Sequence, residues 1–198
     1  GDVGCFSFYP SKVMTTGTGG MLVTDNKKLA EFTMKMRLLG RNLKGGGVSL
    51  EGNDWFMDEI RACVGYHQLL DLDKHIKKRA KIAKKYDRGF SKNNMITLLE
   101  VPENCTNSYY QYALLLNKNI DRDTLIKTLK LKYNIATKRI WLPTHQENIF
   151  KNLKFDKKTL SKTENTFNRS LCIPIYYDLS KDEVERVIFA ISTELNFR

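Results

Sequence analysis

One lysine near the start of the chain stands between a strand-like run and a turn rich in glycine. Lys12 follows the apolar run 5–8, and residues 15–20 read Thr-Thr-Gly-Thr-Gly-Gly. A lysine amine can bond to an aldehyde as a Schiff base, and pyridoxal phosphate is the commonest aldehyde cofactor to use this chemistry. Ser7 is placed to offer a hydroxyl to the cofactor phosphate. The same spacing also suits an ordinary solvated lysine, because most lysines face water.

Length and composition indicate a globular protein. The chain has 198 residues, of which 41% are hydrophobic, which is enough to bury a core. Its longest apolar runs are far shorter than the roughly 20 residues of a membrane span, so we expect a soluble protein without a membrane partner. The chain begins at Gly1 and enters a strand at once. We therefore expect a larger protein to supply a preceding segment.

The charge balance is strongly basic, with 33 Lys and Arg against 22 Asp and Glu. Such an excess is typical of proteins that bind nucleic acid or another anion. The lysines are scattered, however, and the one dense run, 74–88, has helical periodicity. Apolar residues Leu72, Ile76, Ala80 and Ala83 share one face of that helix and leave the lysines on the others. This pattern favours a solvated helix over a nucleic-acid footprint, so no nucleic-acid partner is expected.

The four cysteines, Cys5, Cys63, Cys105 and Cys172, lie far apart and form no CxxC pair. We interpret them as buried free thiols of a protein in a reducing compartment, which predicts a cytoplasmic location. Their spacing indicates neither a disulfide framework nor a metal site.

Local patterns divide the chain into two parts. Residues 2–8 and 19–25 read as strands, the first of them buried, and a helix is predicted over 26–39 with Gly40 as its C-terminal cap. The polar, glycine-rich stretch 40–55 predicts a mobile or functional loop. Asp58 can cap the next helix, and a longer helix runs on to Phe90.

The second part reads as a small α+β domain. Strands are predicted over 108–116, 135–142 and 171–177, with a helix over 121–133 and a polar loop before the last strand. Ser180 and Glu183 form the capping box of a terminal helix. The predicted domains are therefore 1–90 and 91–198.

Residues 1–26 closely resemble the lysine-bearing segment of the DegT/DnrJ/EryC1/StrS family of pyridoxal-phosphate-dependent sugar aminotransferases. The matching positions are Gly1, Asp2, Gly4, the Cys-Phe-Ser-Phe run at 5–8, Lys12, Gly17, Gly19, Gly20 and Thr24. Further matches lie at 36–42, 53–86, 108–116, 141–150 and 171–188, so the resemblance covers essentially the whole chain. It implies an α/β fold of the PLP-transferase fold type I, with 1–90 as the end of the large domain and 91–198 as the small α+β domain.

The resemblance also implies roles for individual residues. Lys12 would bind the cofactor covalently and serve as acid and base, and Ser7 would contact the cofactor phosphate. Asn53 or Asp54 would contact the phosphate from the loop 52–59, which a homodimer partner inserts into the neighbouring site. His145 would face the substrate. Related sugar dehydratases carry histidine at the lysine position, so Lys12 favours transamination.

The implied reaction moves an amino group from an amino acid, with glutamate as the expected donor, to a keto group of a nucleotide-linked sugar. The alternative is a non-catalytic remnant or a binding module whose basic surface holds anionic glycans or nucleic acid. The resemblance reaches only the second half of the family's enzymes, without the half that supplies the partner of the pyridine nitrogen.

The chain departs from the family pattern at three positions. Thr18 replaces a glutamate in the glycine turn, Phe56 replaces an arginine, and Asp54 stands where asparagine is usual, with Asn53 one residue earlier. A carboxylate facing a phosphate would be repelled. Trp55 and Trp141 can stack on a sugar ring or pack in a core, and the sequence leaves both readings open.

Overall fold

The computed structural model describes residues 1–150, 152 and 157–196. The chain divides into two compact units, 1–74 and 75–198.

The first unit contains a two-stranded hairpin and two helices. Strand β1 (Gly4–Ser7) pairs antiparallel with β2 (Gly20–Val23). Helix α1 (Lys27–Met36) follows, and α2 (Glu59–Leu70) comes after the long loop. The side chain of Asp58 caps α2 as predicted and accepts from the backbone N–H of residue 61 at 2.9 Å. Asn26, which the prediction placed inside the first helix, caps α1 and accepts from the backbone N–H of residue 29 at 3.2 Å.

The prediction that the first strand is buried is wrong for this chain. Phe6 on β1 is 56% exposed, and every residue of β2 is exposed. The sheet has only two strands in the described part of this unit, so its side chains keep contact with water. The prediction that the cysteines are buried is wrong for three of the four. Cys5, Cys63 and Cys105 are exposed, and only Cys172 is buried.

The second unit is built on a three-stranded antiparallel sheet with the order β3-β4-β5. Its helices are α3 (Leu72–Phe90), which begins just before the unit boundary, α4 (Arg122–Tyr133), α5 (Lys157–Arg169) and α6 (Lys181–Glu194), and its strands are β3 (Ile96–Leu98), β4 (Tyr112–Leu116) and β5 (Ser170–Ile173). Two short 3-10 helices, Thr144–Gln146 and Asn148–Phe150, lie between α4 and α5.

Three predictions for this unit are corrected. Helix α5 replaces the predicted polar loop, and β3 was not predicted. The stretch 135–142 forms a single bridge, Lys138 to Cys172, in place of a strand. Pro174 limits the ladder on one side of this bridge, because it would lie opposite residue 136 and has no N–H to donate.

The core of the second unit lies between its sheet and its helices. Helix α3 contributes Ile82, Ala83, Tyr86 and Phe90 to this core. Packing of α3 explains why the compact units divide after residue 74, whereas the division into domains after residue 90 stays a prediction. Within the described ranges, no helix is long and apolar enough to cross a membrane.

Candidate active site

Lys12 lies in the loop that joins β1 to β2, and its side chain is half-buried. Its backbone N–H donates to the carbonyl of Tyr9 at 2.9 Å. The loop also closes on itself, because Phe8 N donates to the Gly19 carbonyl at 2.9 Å and Thr16 N donates to the Phe8 carbonyl at 3.1 Å. These bonds hold the Cα of Lys12 at a defined place relative to the hairpin.

The glycines of the turn are required by its geometry. Gly17 has a φ of +80°, which favours glycine. A Cβ added at Gly19 would lie 2.6 Å from Thr16 Oγ1 and 2.8 Å from Met57 Cε, and one at Gly20 would lie 2.7 Å from the Phe6 carbonyl oxygen. The backbone at Gly20 therefore lies closer to the backbone of Phe6 than a Cβ would allow, and the backbone at Gly19 lies equally close to the side chains of Thr16 and Met57.

Thr16 anchors the turn to the rest of the unit. Its side chain is buried, and its hydroxyl donates to the Thr18 carbonyl at 2.8 Å. A Cβ at Gly65 of α2 would lie 2.8 Å from Thr16 Cγ2, so the helix packs directly against the turn. Thr18 stands where the family has glutamate, and here it takes part in the turn through its backbone.

Ser7 ends β1, and its side chain is exposed. Its hydroxyl accepts a hydrogen bond from Tyr9 N at 3.4 Å. A primary amine and a hydroxyl therefore project from one short, hydrogen-bonded segment. These are the two kinds of group that pyridoxal phosphate would take from such a segment, so the residues present fit the cofactor.

Asn53 and Asp54 lie on a different loop, beside the end of α1. Asn53 N donates to the Met36 carbonyl at 2.9 Å, and the Asn53 carbonyl accepts from Leu39 N at 3.2 Å. The side-chain oxygen of Asn53 accepts from Asp54 N at 2.8 Å, and that of Asp54 accepts from Phe56 N at 3.5 Å. Both side chains are exposed, and each also holds the backbone of its own loop.

Two glycines clamp the base of this loop. Gly40 has a φ of +72°, and a Cβ there would lie 1.8 Å from the Leu50 carbonyl oxygen. A Cβ at Gly52 would lie 2.2 Å from Gly40 N. Gly40 N also donates to the Lys35 carbonyl at 2.9 Å, but α1 ends at Met36 with Arg37 as its C-cap, so the prediction of a helix to residue 39 capped by Gly40 is wrong. The close approach to residues 50–52 is a second reason for glycine here, and the sequence does not reveal it.

A cation stands next to Phe56, which occupies the position of the family's arginine. The guanidinium carbon of Arg37, at the end of α1, lies 5.4 Å from the centroid of the Phe56 ring. This distance suits a cation–π contact. Arg37, at the end of α1, therefore places a positive charge beside the position where the family has an arginine.

His145 lies in the second unit, in the 3-10 helix Thr144–Gln146. Its side chain is 13% exposed, and its Nε2 lies 3.0 Å from the Oε1 atom of Glu164. The same oxygen accepts from Gln146 Nε2 at 3.2 Å. Glu164 orients this turn, and sequence pattern alone contains no signal for it, because the segment before the last strand has the composition of a polar loop. The described residues hold no cluster of three or more His, Cys, Asp or Glu side chains suited to a metal ion.

Comparison with known proteins identifies the family. The sequence model of the DegT/DnrJ/EryC1/StrS aminotransferase family matches residues 1–192. The spore coat polysaccharide biosynthesis protein SpsC of Bacillus subtilis is 29% identical over 206 residues, which span 96% of this chain and 53% of SpsC. The UDP-4-amino-4,6-dideoxy-N-acetyl-beta-L-altrosamine transaminase of Campylobacter jejuni is 27% identical and is matched over 94% of this chain and 50% of its own length.

Among solved structures, the aminotransferase TlmJ from Streptoalloteichus hindustanus aligns with a TM-score of 0.89 at 29% identity. The alignment covers 99% of this chain and 52% of TlmJ. This likeness confirms the predicted fold class, a part of the PLP-transferase fold type I. The chain spans about half the length of the curated relatives it matches. By sequence and by fold, it belongs to the DegT/DnrJ/EryC1/StrS aminotransferase family.

Proposed function

We propose that the chain supplies the catalytic lysine and the small domain of a pyridoxal-phosphate-dependent aminotransferase of the cytoplasm. The enzyme would move an amino group from an amino acid, with glutamate as donor, to a keto group of a nucleotide-linked sugar. Family membership supports the reaction class, and the name of the Campylobacter relative supports the sugar. The observation that carries the proposal is the half-buried Lys12, held in a glycine turn directly after Ser7 and β1.

The chain's own residues have distinct parts in this proposal. Bound pyridoxal phosphate supplies an aldehyde that bonds to amines and a ring that accepts electrons. Lys12 Nζ holds the cofactor, and it also serves as acid and base for the proton at the α-carbon of the amino donor. The Ser7 hydroxyl binds the phosphate, and His145 contacts the substrate.

Between the two loop residues, Asn53 is the better phosphate contact. Its amide is neutral and can donate an N–H, whereas the carboxylate of Asp54 would be repelled by a phosphate. The Asp54 side chain also accepts from the backbone of Phe56. We therefore assign the phosphate contact of the loop 52–59 to Asn53.

Borohydride reduction tests the role of Lys12. After incubation with equimolar pyridoxal phosphate and reduction, peptide mass spectrometry should find the cofactor mass on the peptide with Lys12. Lys44, exposed in the loop 40–55, is the internal control for non-specific labelling. Labels spread over the lysines according to their exposure would show that Lys12 is an ordinary surface lysine, and would favour the alternative of a binding module.

We also propose that the protein is a homodimer in which α2 contributes to the interface and the loop 52–59 reaches the neighbouring site. Ile60, on the first turn of α2, is 79% exposed, and Leu69 and Leu70 at its other end are exposed as well. Exposed apolar side chains along one helix are typical of an interaction surface. Helix α2 begins at the end of the loop 52–59, so its exposed apolar side chains and the loop adjoin along the chain.

Sedimentation equilibrium of two matched variants tests this interface. Ile60→Glu should shift the protein towards monomer, because a carboxylate in an apolar interface loses hydration without gaining a partner. Ile149→Glu, at an isoleucine that is 82% exposed in the second unit, should leave the assembly unchanged. Equal behaviour of the two variants would place the interface elsewhere.

A further inference from the structure

Thr16 fills the space between two glycines that come from different elements of the first unit. On one side, a Cβ added at Gly19 of the turn would lie 2.6 Å from Thr16 Oγ1. On the other side, a Cβ added at Gly65 of α2 would lie 2.8 Å from Thr16 Cγ2. The side chain is only 5% exposed, although threonine is mostly a surface residue. One buried side chain therefore joins the glycine turn to α2.

The two ends of the Thr16 side chain make different contacts. The hydroxyl donates to the Thr18 carbonyl, so this buried polar group is satisfied inside the turn. The methyl group makes a purely steric contact with Gly65, which is the buried residue of α2. A Cβ at Gly65 would also lie 3.9 Å from Met14 Cε. Two residues that closely follow Lys12 therefore lie beside the same point of α2.

Lys12 lies in the middle of a loop whose two ends meet at Phe8. The Phe8 carbonyl accepts from Thr16 N at 3.1 Å and from Thr15 Oγ1 at 3.0 Å. Within the loop, Lys12 N donates to the Tyr9 carbonyl. A loop that is closed at its base moves as one piece, so its orientation depends on what the base contacts. Those contacts are the hairpin through Phe8 and helix α2 through Thr16.

We propose that Thr16 is a positioning residue for Lys12, and that its contact with Gly65 fixes the Lys12 amine for reaction with an aldehyde. Thr16 acts through the closed loop and not by binding the cofactor itself. A displacement of about 1 Å in a reacting group can lower a rate on the order of a hundredfold, so one methyl contact at the base of the loop is enough to matter. The identity of the aldehyde as pyridoxal phosphate rests on the proposed function, whereas the contact with α2 does not.

Moving one methyl group from Thr16 to Gly65 tests this contact. Gly65→Ala adds a Cβ 2.8 Å from Thr16 Cγ2, and the side chain of a β-branched residue cannot easily rotate away. Thr16→Ser removes that methyl group and keeps the hydroxyl that bonds to Thr18. Each single variant should therefore disturb the loop, and the double variant should restore it.

Hydrogen exchange in the full chain measures the loop without any cofactor. The amides of Lys12 and Thr16 both donate to carbonyls of the loop. Their exchange should accelerate roughly five- to 100-fold in Gly65→Ala, because of overpacking. It should accelerate roughly two- to tenfold in Thr16→Ser, where a gap of one methyl group opens. The double variant should return to the parental rates.

Borohydride labelling measures the amine itself. After incubation of the full chain with equimolar pyridoxal phosphate and reduction, the ratio of label on Lys12 to label on Lys44 should fall roughly tenfold in Gly65→Ala. The ratio should recover in the double variant with Thr16→Ser. A loss of general stability would not produce this recovery, because the serine substitution by itself removes packing.

Gly89→Ala in the second unit is the matched control. A Cβ there would lie 2.5 Å from Ile188 Cδ1, so this variant also introduces an overlap against a helix glycine. It should lower the melting temperature and leave both measurements at Lys12 unchanged. The inference is overturned if Gly65→Ala and Thr16→Ser both leave the parental values, if the double variant does not recover them, or if Gly89→Ala changes them equally.

The outcomes separate this inference from the proposed function. Selective labelling of Lys12 that neither Gly65→Ala nor Thr16→Ser changes would overturn the role of Thr16 alone. Exchange rates that follow the expected pattern, without selective labelling of Lys12 in the parental chain, would overturn the proposed aminotransferase alone.

Discussion

Lys12→Ala is expected to lower the rate of amino transfer by on the order of a thousandfold or more in the assembled enzyme. The substitution removes the Lys12 amine, which supplies both the covalent attachment and the acid–base group. Because one group has both functions, its removal abolishes most of the catalytic effect. The fold should be unaffected. The Lys12 backbone bond to Tyr9 and the glycine turn both remain available to alanine.

Lys12→Arg should be no better than the alanine variant, because a guanidinium group stays protonated and is a poor nucleophile. Single-turnover kinetics with an amino donor and a keto-sugar nucleotide would measure the loss, and circular dichroism would check the fold. Lys44→Ala, at an exposed lysine of the long loop, should keep the parental rate. An alanine variant at position 12 that turns over near the parental rate would remove Lys12 from the mechanism.

Gly40→Ala is expected to open the loop that carries Asn53. A Cβ at residue 40 would stand 1.8 Å from the Leu50 carbonyl oxygen, so the backbone must move to accept it. The positive φ of +72° adds strain for a residue with a side chain. We expect a local cost of about 3 kcal/mol or more, and the bond from Asn53 N to the Met36 carbonyl should be among those lost.

Gly45→Ala separates the two causes. Gly45 has a φ of +90°, but a Cβ there would meet nothing within 4 Å. Its substitution should therefore cost only the backbone strain, about 1–2 kcal/mol. Hydrogen exchange at the amides of Leu39 and Asn53 should accelerate roughly a hundredfold in Gly40→Ala and little in Gly45→Ala. Similar exchange in both variants would mean that the close approach to Leu50 does not hold the loop.

Features with local causes could be predicted from the sequence. The turn around Lys12 depends on glycines that lie within a few residues of it, and the N-terminal caps of α2 and α6 need only a side chain and a nearby N–H. The capping box of Ser180 and Glu183 is present with both reciprocal bonds. Helical periodicity likewise sufficed for α3, whose apolar face packs into the core. The roles proposed for Lys12 and Ser7 rest on the family resemblance of residues 1–26, because the local pattern alone also suits an ordinary solvated lysine.

Tertiary structure decided what is buried and which strands pair. The apolar run at 5–8 has the composition of a buried strand, yet Phe6 is exposed because burial requires a second layer that the strand cannot supply itself. The stretch 135–142 has strand-forming residues, but β5 offers it one bridge. Trp141 could have packed or faced solvent, and Glu164 could have paired with any neighbour. In each case the outcome depends on residues that are distant in sequence. A local sequence pattern does not show which distant residues will pack or pair at a given position.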